Sequence, residues 1–211
     1  ATLHYRVVCG PTGSGKSRLL AELANAGAQV LDLEGLAAHR GSLLGALPDA
    51  PQPAQKGFES AVWSALARFD PAHPVYVESE SKRIGALSVP DALIAAMRAS
   101  PCVRIEAPLE ARVALLTEDY AHFLADPESL NARLAHLAEL RGSETVAAWQ
   151  ARAREHAWPE LVAALLEQHY DPAYRKSLAH NYAASERDLT VQATSLTPAH
   201  LRTLAAEILA R

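Results

Sequence analysis

Cysteine is scarce in this sequence. Cys9 and Cys102 are the only thiols among 211 residues, and both stand in apolar, strand-like runs. Neither belongs to a CxxC pair or keeps zinc-ligand spacing with a histidine, so a cysteine-based metal site is excluded. They read as small buried hydrophobes in a reducing compartment, which makes the cytoplasm the expected location. Long apolar runs are missing as well. None approaches the length that crosses a bilayer, and no signal peptide is visible, so no membrane association is expected. Excess charge of one sign is absent: 20 Lys and Arg face 24 Asp and Glu, for a formal net charge of −4. A chain-wide basic footprint for nucleic acid is therefore ruled out, though a local patch is not. Internal repeats and low-complexity segments are also lacking. No initiator Met precedes Ala1, and the first apolar run begins within a few residues of it. The expectation is a fragment whose preceding domain has been removed.

Apolar residues make up 49% of the chain, enough to bury a core rather than leave the chain disordered. The length suits one α/β domain carrying a helical insertion. The most informative segment is Gly10-Pro11-Thr12-Gly13-Ser14-Gly15-Lys16-Ser17, which satisfies G-x-x-x-x-G-K-[ST] in full. An apolar strand-like run, Tyr5 to Cys9, precedes it, and a helical pattern from Ser17 follows. Glycines let the backbone curl so that successive N–H groups face a phosphate, and the helix N-terminus adds partial positive charge. The phosphate-binding set is thus Gly10, Gly13, Ser14, Gly15, Lys16 and Ser17, with Lys16 on the terminal phosphate and the Ser17 hydroxyl on Mg²⁺ if Mg²⁺ is used.

Apolar runs alternate with helical patterns, which predicts a phosphate-loop NTPase-like α/β fold: a parallel five-stranded sheet with helices on both faces. Expected strands are Arg6 to Cys9, Gln29 to Leu33, Val75 to Ser79, Cys102 to Ala107 and Leu189 to Ala193. Expected helices cover Lys16 to Ala26, Lys56 to Phe69, Val89 to Arg98 and Leu109 to Phe123. A closing helix has Thr197 as cap, Pro198 in its first turn, and Leu201, Leu204, Ala205, Ile208 and Leu209 on one face. Between about 126 and 182 no strand is evident. Leucines recur there at helical spacing, and this stretch reads as a helical insertion before the last strand, within a single domain of residues 1–211. Pro48 to Pro53 reads as a loop.

Candidate chemistry gathers at strand ends, because ligands of open α/β sheets lie beyond the carboxyl edge. Alternation along Val75 to Glu80 puts Tyr76, Glu78 and Glu80 on one face, and Glu78 stands where phosphate-loop proteins keep the acid of the Mg²⁺ shell. Lys82 and Arg83 follow as cations that could clamp a phosphate, a surface charge pair being the equal alternative. Asp32 and Glu34 share a face at the end of the second strand. His39 and Arg40, with Gly41 and Ser42, form a polar loop beyond it. Gln52, Gln55, Lys56 and Glu59 open the next helix. In His169 to Tyr174, Asp171 reads as a cap and Pro172 as the first helical residue. Lys16, Glu78 and Arg83 are the expected catalytic set.

Gln29 to Ser42 resembles the segment after the phosphate loop in bacterial tRNA 2-selenouridine synthases. Gln52 to Glu59, Val77 to Gly85, Ser100 to Val103, Asp119-Tyr120 and His169 to Tyr174 agree in order, so the resemblance runs from Gly10 to Tyr182. Leu44 and Ala54 depart from it, where Phe and Ser are expected. The resemblance implies a transferase that converts 2-thiouridine at the tRNA wobble position to 2-selenouridine. Its implied route is S-geranylation from geranyl diphosphate, then replacement of the S-geranyl group using selenophosphate. It also implies an N-terminal rhodanese-like partner domain whose cysteine takes part and which this sequence does not contain. Neither Cys9 nor Cys102 replaces that cysteine. Both donors carry phosphate, so the loop need not hydrolyse ATP or GTP. A small-molecule kinase using ATP, and a non-catalytic nucleotide-binding module that positions tRNA, remain as alternatives.

Overall fold

A computed structural model describes residues 2–41, 45, 50–124 and 126–211. Ser42, Leu44, Pro48 and Asp49, which figure in the loop expectations above, lie outside the described residues. The first half contains β1 (Tyr5–Cys9), α1 (Lys16–Asn25), β2 (Gln29–Leu31), α2 (Leu33–Ala37), α3 (Gln55–Leu66), β3 (Val75–Glu78), a hairpin of β4 (Arg83–Ile84) and β5 (Leu87–Ser88), α4 (Asp91–Arg98) and β6 (Cys102–Glu106). Helices α5 (Leu109–Asp119), α6 (Ala121–Leu124), α7 (Pro127–Ala135), α8 (Ala138–Arg141), α9 (Ser143–Arg154), α10 (Trp158–Leu165) and α11 (Asp171–Asn181) follow. A π-helical turn, Leu166–Tyr170, joins the last two. The chain closes with β7 (Leu189–Gln192) and α12 (Pro198–Leu209).

Five strands form one sheet in the order β2-β3-β1-β6-β7, and every pairing is parallel. The expected parallel α/β sheet is therefore what the chain forms, with β3 beside β1 in the register Val8 opposite Glu78. From β1 the chain crosses outward to β2 and β3 on one side and then to β6 and β7 on the other. That reversal makes the end of β1 the switch point, where open sheets leave a crevice.

Strand alternation sorts the core. Tyr5, Val7 and Cys9 face one layer with Phe58 and Val62 of α3 and Leu93, Ile94 and Met97 of α4. Val8, Tyr76, Val103 and Ile105 face the other, against Leu19, Leu20 and Leu23 of α1 and Leu201, Leu204 and Ile208 of α12. A third cluster lies within the helical insertion, where Phe123, Leu130, Leu134, Trp149 and Leu161 meet. Thr197 caps α12, accepting from the His200 N–H, and Pro198 holds the first turn. Cys9 and Cys102 are free and buried as expected, with their sulfurs 3.1 Å apart.

Several boundaries differ from the sequence expectation, each for a local reason. The second strand stops at Leu31 rather than Leu33, because Asp32 caps α2 by accepting from the Gly35 N–H at 2.8 Å. The expected helix to Phe123 breaks at Tyr120 into α5 and α6. The β4–β5 hairpin, turned at Gly85 with φ of 58°, was not anticipated. Asp171 continues out of the π-helical turn instead of capping a fresh helix.

Candidate phosphate-binding cleft

The segment from Gly10 to Ser17 leaves the end of β1 and turns into α1. Gly15, the residue before the helix, has φ of 83°, a left-handed conformation that side chains disfavour. Gly10 is needed for space: a Cβ there would sit 2.4 Å from both Ile105 Cγ2 and Ser14 Oγ. Ser14 is wholly buried, and its hydroxyl has no hydrogen-bond partner among the described residues. Lys16 folds back over the loop and donates from Nζ to the Gly10 carbonyl at 2.8 Å and the Pro11 carbonyl at 3.5 Å. This poise keeps the ammonium beside the N–H cradle, where an anion would meet both.

Three carboxylates face the start of α1. Ser17 Oγ lies 3.0 Å from Glu34 Oε2, to which it donates, and 3.4 Å from Glu78 Oε2. The Glu34 N–H donates to Glu78 Oε1 at 3.2 Å. One oxygen from each of Glu34, Glu78 and Glu80 can be chosen so that all three lie within 4.8 Å of one another. Burial pushes the Glu78 carboxyl well above the usual carboxylate range, and the charges of Glu34 and Glu80 add to it. Glu80 is pushed up to about 7, first by burial and then by Glu34. Burial also raises Glu34, while Lys16 and the Ser17 hydroxyl pull it down. Crowded acids of this kind hold either shared protons or a hard cation with oxygen ligands.

The cleft over the loop is walled by Lys16, Ser17, Glu34, Arg40 and Glu80 on one side and by Leu116, Tyr120, Tyr170 and Tyr174 on the other. Arg18 reaches Asp119 at 2.7 Å and Glu118 at 3.2 Å. Arg40 donates to the Asp119 carbonyl at 2.8 Å, and its guanidinium lies 5.1 Å from the centre of the Tyr120 ring. Beside this cleft runs an almost wholly apolar cavity that shares Thr12, Leu116, Tyr120 and Tyr170 with it. Phe123, Leu130, Trp158 and Leu161 extend it into the insertion.

Not every residue singled out in the sequence reaches the cleft. Asp32 is occupied as a helix cap, so it does not share a strand face with Glu34. His39 is buried below the loop, its Nδ1 accepting from the Gly41 N–H at 3.1 Å, and burial lowers its basicity. Gln55 clasps both backbone groups of Ser88 at 2.8 and 2.9 Å, and Gln52 donates to the Ile84 carbonyl at 3.0 Å. Together they fasten the hairpin to the start of α3 and the end of α2. Lys82 is exposed and paired with Asp91 at 2.7 Å, and exposed Arg83 lies on β4; neither lines the cleft. Lys56 borders a separate groove between α3 and α4. Sequence reasoning missed Arg18 and Arg112, of which only Arg18 carried a signal, standing one residue past the motif. Tyr174 belongs to the aromatic segment His169 to Tyr174, whose rings read as packing rather than as a cleft wall.

Residues 3–141 match the family model described as the tRNA 2-selenouridine synthase AAA domain. Among curated relatives named tRNA 2-selenouridine synthase, the protein of Marinobacter nauticus is 42% identical over 118 residues, 55% of this chain and 31% of that protein. That of Alcanivorax borkumensis is 43% identical over 122 residues, 57% of this chain and 32% of that protein. That of Shewanella loihica is 32% identical over 197 residues, 80% of this chain and 52% of that protein. The chain thus spans about a third to a half of the length of the curated relatives it matches. Among solved structures, a gluconokinase from Sinorhizobium meliloti 1021 is 15% identical with a TM-score of 0.37, covering 98% of this chain and 95% of that one. The fold assignment stands on the strand order and the loop rather than on that likeness. With more than half its length matched by the family model, the chain belongs to the tRNA 2-selenouridine synthase AAA domain family.

Proposed function

We propose that this chain is the phosphate-loop part of a tRNA-modifying transferase, and that its cleft holds geranyl diphosphate for S-geranylation of 2-thiouridine in tRNA. The observation that carries this reading is the apolar cavity opening beside the phosphate loop, with Thr12, Leu116, Tyr120 and Tyr170 common to both. A diphosphate on the loop would leave its hydrocarbon chain facing Phe123, Trp158 and Leu161, where burial of apolar surface adds affinity. Transfer breaks the bond between the geranyl carbon and the diphosphate oxygen as the thiouridine sulfur attacks that carbon. Negative charge then grows on the leaving diphosphate, and the loop N–H groups with Lys16 would stabilise it. Arg40 and Arg18 line the same cleft and would add further positive charge.

Ser17, Glu34, Glu78 and Glu80 would hold Mg²⁺, since three crowded carboxylates and a hydroxyl suit a hard cation. When bound, Mg²⁺ supplies charge neutralisation at the diphosphate. Selenophosphate would use the same loop in the second half-reaction, with the cysteine supplied by the rhodanese-like domain of the full-length enzyme. The same carboxylates also favour a second reading, an ATP-dependent kinase, because Mg²⁺-ATP asks for that chemistry as well.

Thermal shift with pyrophosphate, geranyl diphosphate, selenophosphate, ATP and GTP tests the assignment, because a ligand of the native state raises its melting point. Geranyl diphosphate should stabilise more than pyrophosphate at equal concentration, and Trp158→Ala should erase only that difference. Lys16→Ala should weaken both by about 1.5–3 kcal/mol, the range for a charge-assisted contact. Equal shifts from the two diphosphates would remove the hydrocarbon site. ATP turnover that persists without tRNA would favour the kinase.

A further inference from the structure

Helix α11 buries none of its eleven residues. Leu178 packs half-buried against the sheet core, and the helix forms one wall of the cleft through Tyr174 and Ser177. Two polar contacts tie it to the phosphate loop. At its first residue, Asp171 takes a two-pronged ion pair from Arg112 of α5, with Nη1 3.0 Å from Asp171 Oδ2 and Nη2 2.5 Å from Oδ1. The same guanidinium donates from Nε to the Thr12 carbonyl at 2.9 Å. One turn later Tyr174 stands over the same loop, its hydroxyl near enough to the Gly10 N–H to interact with it. Side chains of Arg112 and Asp171 are only 6% and 14% exposed, so water competes weakly for these bonds.

Thr12 is thus held from α11 through Arg112 of α5, and Tyr174 of α11 covers Gly10 at the other end of the loop's first turn. Thr12 and Gly10 flank Pro11, and the Gly10 and Pro11 carbonyls are those that Lys16 touches. Next to Thr12, Gly13 has φ of 77° and lies against α5: a Cβ there would meet Leu116 at 2.8 Å and the Arg112 carbonyl at 3.2 Å. A fork-shaped guanidinium can bind a carboxylate through two N–H groups and still spend its Nε elsewhere, which lysine cannot do.

We infer that Arg112 and Asp171, with Tyr174, are positioning residues that fix the phosphate loop in its anion-binding shape. The inference rests on the phosphate-site reading above. None of these contacts is made to phosphate; the effect passes through Thr12 and Gly10. Because the clasp reaches from the insertion, loss of α11 contact and loss of phosphate affinity are linked.

Calorimetric titration with inorganic pyrophosphate, on protein well below its melting point, tests this. Arg112→Gln and Asp171→Asn should each raise the pyrophosphate Kd about tenfold, a usual size for coupling between linked sites. The double variant should bind no more weakly than the worse single one, since both remove one contact. Gln29→Ala is the control. Gln29 accepts from the Asp70 N–H and donates to the Asp70 and His73 carbonyls, level with Tyr5 at the start of β1 and so at the end of the sheet away from the loop. That variant should lose stability and keep the wild-type Kd. If Arg112→Gln does not fold, Tyr174→Phe, which removes one hydroxyl, should still weaken binding. Wild-type affinity in Asp171→Asn and Tyr174→Phe would overturn the clasp, as would equal weakening in Gln29→Ala. A wild-type chain that does not bind pyrophosphate overturns the phosphate-site reading itself, and the clasp falls with it.

Discussion

Helices α12 and α11 differ by one residue in length but are held in opposite ways. α12 packs Leu201, Leu204, Ala205 and Ile208 into the sheet layer, whereas α11 has no fully buried residue, sets only Leu178 partly against the core, and is tied at its start by the Arg112–Asp171 ion pair. The sheet region is secured by apolar area, which is non-directional and tolerant of small shifts. The cleft-facing side of the insertion is secured by bonds that fail with small changes of geometry. Affinity for phosphate and stability of the fold are therefore expected to respond to different residues.

The widest separation should come from the insertion's own core. Trp149 is wholly buried there, with its Nε1 donating to Gln168. Trp149→Ala should cost about 3–5 kcal/mol, as for other large buried aromatics. Hydrogen exchange should show protection lost across α7, α9 and α10 while β1 and β3 keep theirs. Uniform loss in both regions would mean that sheet and insertion unfold as one unit.

A smaller effect should follow pH. Glu78 and Glu80 carry folded-state pKa values above those of the unfolded chain, Glu80 at about 7. The folded protein holds their protons longer, so metal-free stability is full below the unfolded value near 4.5 and falls as pH rises through about 7. Melting curves without metal should descend between pH 5 and 8, and Mg²⁺ should restore the loss at pH 8. Glu78→Gln should flatten the descent and shrink the Mg²⁺ effect together. A metal-free curve that rises over that interval would contradict the crowded-carboxylate account.

The least effect belongs to a cap in the sheet region. Thr197→Ala removes the acceptor for the His200 N–H and should cost about 1 kcal/mol, read as a shift in urea midpoint with pyrophosphate affinity unchanged. A change in that affinity would break the division between the two regions.

How much could be read in advance follows the same division. The inner strands announced themselves because they are buried on both faces, so Tyr5 to Cys9 and Val75 to Glu78 are nearly continuous apolar runs. The loop and its acids at β3 were legible because the motif fixes spacing and the strand end fixes place. Asp32 was misread because Asp-Leu-Glu-Gly fits both strand alternation and a helix cap, and only the bond to Gly35 decides. Arg112 was invisible: a lone arginine in a helical pattern reads as solvated, and its partners lie 59 and 100 positions away. The hairpin of two-residue strands is too short to show any period.

The position of the insertion also affects the order in which the chain can fold. β7 pairs with β6 in parallel, Val103 opposite Leu189 and Glu106 opposite Gln192, yet seven helices separate the two strands. On a ribosome, the Val103–Ile105 edge of β6 must wait through synthesis of all of them before its neighbour emerges. Helix pairs such as α7 with α9 close over short loops and can form early, while the sheet still lacks its last strand. During that interval an apolar strand edge stands open to other chains. Expression at a slow elongation rate, or at high nascent-chain density, is where this protein should aggregate, and chain termination just before Asp188 should make the exposure permanent.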